Sequence, residues 1–266
     1  MNIVVPIKQV PESSNVKMDP ETGTVVRVGV ETVVNPLDMY ALEAALRLRE
    51  RCGGTVTAIS MGPPQAIRAL KEAIAMGCDG GALLSDRKVG GSDTCATSYA
   101  LARMIETAGE YDVIVTGERA TDGDTSQVGP GIASWLGIPA VSYVSKIEGV
   151  EDGRILTERL FEEGYQQLST VLPCLLTVVK EIAIPRLPTL RGKIRSMELN
   201  IPVYTAQDIK LDLDRVGLDG SPTKVVKIAA PKVTRSGRTI MAQDGISINA
   251  AADAFFDLIE KKGFLQ

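Results

Sequence analysis

Short β-branched runs alternate with longer stretches whose apolar residues recur three and four apart, and this rhythm holds over the first 150 residues. "NIVVPI" reads as a first buried strand, and Pro6, lacking a ladder donor, predicts its end. In "VNPLDMYALEAALRLRERCGG", Asn35-Pro36 starts a helix. Leu37, Ala41, Ala44 and Leu48 line one face, Glu43 and Arg47 pair outside, and Gly53-Gly54 stops it. "TVTAIS" is a second strand, followed by a helix with Ile67, Leu70 and Ile74 on one face. "GGALLS" is a third strand, and the helix after it is capped at Ser92 or Asp93. "DVIVTG" and "IPAVSYVSKIEG" are the fourth and fifth strands.

The pattern predicts an α/β fold: a doubly wound, mostly parallel, Rossmann-like sheet with helices on both faces and ligand loops at the carboxyl ends of the strands. From residue 152 the rhythm changes. Two strand-like runs around a polar middle suit an antiparallel hairpin at the sheet edge. The Pro- and Arg/Lys-rich stretch 183–204 reads as an ordered surface excursion. The expected division is an α/β nucleotide-binding domain over 1–200 and, over 201–266, an arm with an amphipathic terminal helix that packs on a partner chain.

Composition removes several chemistries. With 29 basic and 33 acidic residues the net charge is −4, which disfavours nucleic acid as a partner. Histidine is absent, excluding imidazole bases, a Ser-His-Asp triad and the commonest zinc sites. Cys52, Cys78, Cys95 and Cys174 form no CxxC pair and are expected to be buried free thiols. No apolar run reaches membrane-spanning length, and strand-like sequence begins at once, so a cytoplasmic location is expected. Any catalysis would rest on a cofactor, with no catalytic side chain and no metal.

The candidate chemistry lies in "GERATDGDTSQVGPGIASWLGIP" (117–139), a strand-to-helix turn dense in small and hydrogen-bonding residues. A helix start with free N–H groups attracts phosphate, and Thr125, Ser126 and Gln127 add donors. Asp122 and Asp124 repel phosphate and fit better as turn-formers, caps or ribose acceptors; a capped turn without any ligand would use the same residues. Loops 60–63 and 84–94 should open on the same rim, and the turn 90–94 could place further N–H groups at a helix start. Neither GxGxxG after the first strand nor GxxxxGK[ST] is present, so nucleotide binding would take another route. Trp135, Phe255 and Phe256 are expected to pack rather than stack on a cofactor.

Five blocks then stand in a familiar order and spacing: "VNPLDMYALEAALRLRE", "ISMGPPQAIRALKEAIAMG", "GGSDTCATSYALA", "GERATDGDTSQVGP" and "LPCLLTVVKEIAIPRLPTLRGKI". From residue 1 to about residue 235 the chain resembles the electron-transfer flavoprotein β subunit. The resemblance implies a heterodimer whose α subunit holds an electron-carrying FAD, while β supplies a nucleotide site and an arm that clasps α. Family members differ in the β site: simple shuttles hold structural AMP, and electron-bifurcating members hold a second FAD. In the latter, NADH delivers hydride. One electron goes toward the α-subunit FAD and an acyl-CoA or related flavin dehydrogenase, the other to ferredoxin or flavodoxin. "DGDTSQVGP" resembles the bifurcating version, in which Gly123 leaves room for a diphosphate. The resemblance carries cofactor binding onto Pro6, Asn35, Asp38 and Met61, and the turn before the third helix adds Gly91, Asp93 and Thr94 as candidates. In the turn 122–129 it falls on Asp122, Gly123, Asp124, Thr125, Ser126, Gln127, Val128 and Gly129. Partner docking falls on Leu190, Arg191 and Lys193. Pro6 departs from the Cys or Ala of many relatives, and "EIAIPRLP" from the acidic or Asn-containing turn usual there. An adenine-nucleotide-binding regulatory module remains a third reading of the same sheet and loops.

Overall fold

The computed structural model describes residues 1–12, 32–226 and 245–264, in two units, Met1–Lys227 and Ile228–Gln266. In the first unit, β1 (Asn2–Pro6) is flanked on one side by β4 (Thr55–Met61), β5 (Gly80–Leu84) and β11 (Val203–Tyr204), all parallel. On its other side lie β6 (Val113–Gly117), β10 (Cys174–Val178) and β7 (Ala140–Glu151), also parallel. β8 (Arg154–Phe161) and β9 (Gly164–Val171) complete that edge as antiparallel strands. The expected doubly wound sheet with an antiparallel edge hairpin is present. Pro6 is the last residue of β1, and the ladder resumes past it through the Ile7 amide to the Ile59 carbonyl at 2.8 Å. A small separate hairpin, β2 (Gln9–Pro11) with β3 (Thr32–Val34), follows β1.

The strands are apolar on both faces because helices cover both. Val5, Val56, Val115 and Leu176 belong to one core with Leu42 and Leu46 of α1 (Pro36–Cys52) and Leu70 and Ile74 of α2 (Ile67–Met76). Val4, Ile59, Ile114 and Leu175 face the other, with Met104 and Ile105 of α3 (Thr94–Ala108) and Ile132 of α4 (Val128–Leu136). Helix α1 ends where Gly53, at φ 73°, turns its amide back to the Arg49 carbonyl. Helix α4 lies close to both the sheet and α3. A Cβ on Gly129 would fall 2.8 Å from Thr116 Oγ1 and from Thr177 Cγ2, and one on Gly131 would fall 2.7 Å from Ser98 Oγ. Only glycine permits that approach.

Three regions differ from expectation. The run 174–178 is not an edge strand but enters between β6 and β7, all five residues buried. The stretch 183–204 contains a helix, α5 (Leu190–Glu198), capped by Thr189. It packs on α2 so closely that a Cβ on Gly192 would lie 2.1 Å from the Ala75 carbonyl oxygen. Arg195 locks it with hydrogen bonds to the carbonyls of Cys78 (2.9 Å) and Asp79 (2.7 Å). The division expected at residue 200 falls instead at Lys227: β11 joins the sheet, and Ala206, Ile209, Leu211 and Val216 are buried in the second core. Apolar burial against the body's own sheet accounts for this placement.

In the second unit α6 (Gly245–Lys261) exposes Ile248, Phe255, Phe256 and Leu258, and the two phenyl rings meet edge-on at 6.3 Å. The portion of the expected arm at 227–244 lies outside the described residues. Trp135 packs although part of it is exposed, and the expectation for the cysteines changes. Trp135 is 41% exposed, edge-on to Tyr99 at 5.1 Å with the Arg215 guanidinium 5.7 Å from its ring. Of the four free cysteines only Cys78 and Cys174 are buried, and burial pushes both thiols up to about 12; Cys52 and Cys95 are exposed at helix ends. No described helix is long and apolar enough to cross a membrane.

Candidate functional site

From β1 the chain moves through β4 and β5 in one direction, then returns to place β6 on the opposite side of β1. The carboxyl ends of β1 and β6 therefore form a switch point, where loops diverge and leave a crevice. Residues 6–8 form one lip. Residues 118–127 form the other, and Asn35 and Asp38 at the start of α1 lie between them.

Asn35 stands at the N-cap position of α1 but makes no capping bond with its side chain. Fully buried, it reaches across to the second lip instead. Its Nδ2 donates to the Arg119 carbonyl at 2.9 Å, and its Oδ1 accepts from the Thr121 amide at 3.2 Å. Asp38, also buried, accepts from the Lys8 amide at 2.7 Å and from the Gly117 amide, joining both lips beneath the crevice. Burial pushes its carboxyl up to about 7, against the hydrogen bonds from Lys8, Asn35 and Gly117 that favour the ionised form. Gly117 is required here, since its Cβ would meet Asp38 Oδ1 at 2.6 Å.

The turn itself is tight. The amides of Gly123 and Asp124 both fold back to the Ala120 carbonyl, at 3.3 and 2.8 Å. Positive φ falls on Asp124 (53°) and Ser126 (55°), with Thr125 between them at ordinary φ. Such alternation lets neighbouring N–H groups converge on one point. Among the described residues, the amides of Thr125, Ser126, Gln127, Val128 and Gly129 donate to nothing, and they stand at the start of α4. Gly123 has no positive φ and, among the described residues, nothing beyond its chain neighbours within 4 Å of where its Cβ would be, so the space beside it is open.

Two cations that sequence reasoning passed over neutralise the acidic residues. Lys8 Nζ lies 2.7 Å from Asp122 Oδ1, and Arg119 Nε lies 3.1 Å from Asp124 Oδ1 and 3.4 Å from Glu118 Oε1. Their signal in the sequence was position alone: a cation within two residues of the carboxyl end of β1 and of β6.

The remaining site residues divide. Thr94 Oγ1 donates to Gln127 Oε1 at 2.9 Å, bringing the loop before α3 onto the same rim. Met61 ends β4 half-buried, two residues past Ile59, the register partner of Pro6. Asp93 is otherwise engaged: one carboxylate oxygen caps α3 through the Ala96 amide, and the other accepts from the amide and hydroxyl of Thr223. Gly91, at φ 79°, packs on Leu218, so with Asp93 it holds the segment 217–223 rather than facing the crevice. Gly129 is buried against the sheet and serves the close approach of α4. Far from this rim, Leu190, Arg191 and Lys193 are exposed on the first turn of α5. A groove lined by Asn2, Ile3, Thr55 and Gly109 lies at the opposite, amino-terminal end of the strands. No group of His, Cys, Asp and Glu among the described residues has metal-binding spacing.

The fold and these loops define a doubly wound α/β protein whose hydrogen-bond donors gather at the switch point. The electron transfer flavoprotein domain family matches residues 22–206. Over 238 residues the chain is 48% identical to the electron transfer flavoprotein subunit beta of Thermoanaerobacterium thermosaccharolyticum, covering 89% of this chain and 91% of that one. It is 43% identical to Protein FixA of Azorhizobium caulinodans over 269 residues, covering 98% and 95% of the two chains. It is 42% identical to the caffeyl-CoA reductase-Etf complex subunit CarD of Acetobacterium woodii over 263 residues, covering 98% and 99%. The chain belongs to the electron-transfer flavoprotein family, in the place of the β subunit. The crevice fits a phosphate-bearing cofactor: five unpaired amides at a helix start, neutralised acidic neighbours and open space beside Gly123.

Proposed function

We propose that this chain is the β subunit of an electron-bifurcating electron-transfer flavoprotein and that the crevice holds an FAD. The observation that carries this reading is the unbroken row of unpaired amides from Thr125 to Gly129. Such a row can serve two linked phosphates, and with the open space beside Gly123 it suits a diphosphate. Bound there, the flavin would supply hydride acceptance from NADH and one-electron transfer to the α-subunit FAD and to ferredoxin or flavodoxin.

The protein's part is to bind and orient. The amides of residues 125–129 and the hydroxyls of Thr125 and Ser126 would meet the phosphate oxygens. Lys8 and Arg119 keep Asp122 and Asp124 from repelling them. Pro6, Asn35, Asp38 and Met61 would border the adenosine side, Asn35 and Asp38 by fixing the two lips. Thr94 holds Gln127 in place. α6, with its exposed phenylalanines, would pack on the α subunit. The first turn of α5 would dock an acyl-CoA or related flavin dehydrogenase through Leu190, between basic Arg191 and Lys193.

Cofactor extraction from the native heterodimer tests the reading. Two FAD per heterodimer are expected. One FAD plus one AMP would make the chain a simple shuttle subunit, and adenine nucleotide without any flavin partner would make it a regulatory module.

A further inference from the structure

The guanidinium of Arg119 is held by charge alone. Asp124 and Glu118 come nearest at Nε, 3.1 and 3.4 Å away, and no guanidinium nitrogen donates a hydrogen bond among the described residues. An arginine retained for its ion pair alone would present its two-nitrogen edge to a carboxylate, the fork-to-fork arrangement that gives such pairs their strength. Here that edge is left free. The side chain is 47% exposed, so its free donors are open to a ligand.

Its base is rigid. The Arg119 carbonyl accepts from Asn35, which is fully buried, and the next two residues are pinned by the Thr121 amide to Asn35 and by the two bonds onto the Ala120 carbonyl. The ion pair, the bonds beneath it and the unpaired amides of residues 125–129 all belong to the one stretch 118–129. Lys8 differs, because its compact ammonium is committed to Asp122 at 2.7 Å.

We propose that Arg119 binds the diphosphate of the ligand in the crevice, its two terminal nitrogens donating to phosphate oxygens while Nε stays on Asp124. The inference rests on reading the crevice as a diphosphate site, and it assigns the charged contact that the neutral amides of the turn do not provide. A guanidinium edge matches two oxygens of a phosphate, which an ammonium does not.

The test is calorimetric titration of the heterodimer, stripped of its crevice ligand, with adenosine, AMP and ADP. The variants are Arg119→Gln and Arg119→Lys. Arg119→Gln should weaken ADP about tenfold to a hundredfold, the range for a lost charge-assisted hydrogen bond, and leave adenosine within about twofold. Arg119→Lys should recover only part of the ADP affinity, and added salt should weaken ADP more in the wild type than in Arg119→Gln. Equal ADP affinity in wild type and Arg119→Gln would overturn the inference while leaving the crevice reading intact. An equal loss for adenosine and ADP would overturn it as well, by showing a structural role. Loss of the heterodimer at unchanged ADP affinity would assign Arg119 to the subunit interface instead. A wild-type heterodimer that binds neither AMP nor ADP would remove the crevice reading, and this inference with it.

Discussion

Asn35 Nδ2 lies 2.9 Å from the carbonyl oxygen of Arg119, a hydrogen bond between the start of the first helix and a loop 84 residues further on. With the return bond from the Thr121 amide it makes one buried side chain a support for the second lip at residues 119–121. Asn35→Ala should leave a buried amide and a carbonyl unpaired, costing about 1–3 kcal/mol for each group that water does not reach. Urea denaturation should show a lower midpoint, and flavin content should fall with it. An unchanged midpoint would mean that the lip supports itself.

Gly123→Val separates ligand from fold. Among the described residues, nothing beyond the chain neighbours lies within 4 Å of the new Cβ, and the backbone there has no positive φ, so the variant should be close to wild type in thermal stability. The added bulk projects into the open space of the crevice. Flavin content of the heterodimer should drop from two to one, and NADH oxidation should stop. Retention of both flavins would place the phosphates elsewhere.

Asp38 predicts a pH dependence with a definite sign. Its carboxyl titrates near 7 in the folded chain, against an ordinary value of 3.8. Between about pH 4 and 7 the folded state therefore holds a proton that the unfolded state has lost. Stability from this group is full below pH 4 and declines as pH rises toward 7, with a slope approaching about 1.4 kcal/mol per pH unit. Subtracting the stability profile of Asp38→Asn from that of the wild type isolates the effect. A flat difference between pH 4 and 7 would show that Asp38 ionises normally.

The segment before α5 is held by Arg186, which donates to Glu43 at 2.8 Å and also pairs with Glu50. Burial pushes the Glu43 carboxyl up, but hydrogen bonds from Arg186 and Arg47 outweigh it and hold the group below the usual range. Beyond this anchor Leu187 and Leu190 stand 85% and 77% exposed. Leu190→Ala should slow electron transfer to the dehydrogenase with flavin content and stability unchanged. Arg186→Met should slow it too, and should also destabilise the chain by about 1–3 kcal/mol by stripping a partner from buried Glu43. Steady-state transfer at limiting dehydrogenase, read beside thermal melts, distinguishes the two.

What the sequence determined by itself was everything set by neighbours a few residues apart. Short β-branched runs and period-3.6 patterns placed β1, α1, β4, α2, β5 and β6 because run length and apolar spacing are local properties. The residues of 122–129 announced a turn at a helix start because small size, hydroxyls and Gly-Pro act on their own backbone. The tertiary structure alone decided the rest, through contacts far apart in the chain. The run 174–178 could have served as an edge strand; its full burial between β6 and β7 depends on partners up to 61 residues away. Asn35 had the local signature of a helix cap, yet two unpaired loop groups 84 and 86 residues distant claimed its side chain. Asp122 and Asp124 looked hostile to phosphate until the fold set Lys8, 114 residues earlier, and Arg119 against them. The stretch 201–226 looked like a free arm until its apolar residues found the second core. Local pattern selects an element, but only packing selects its neighbour, because burial and charge pairing are settled where the chain meets itself.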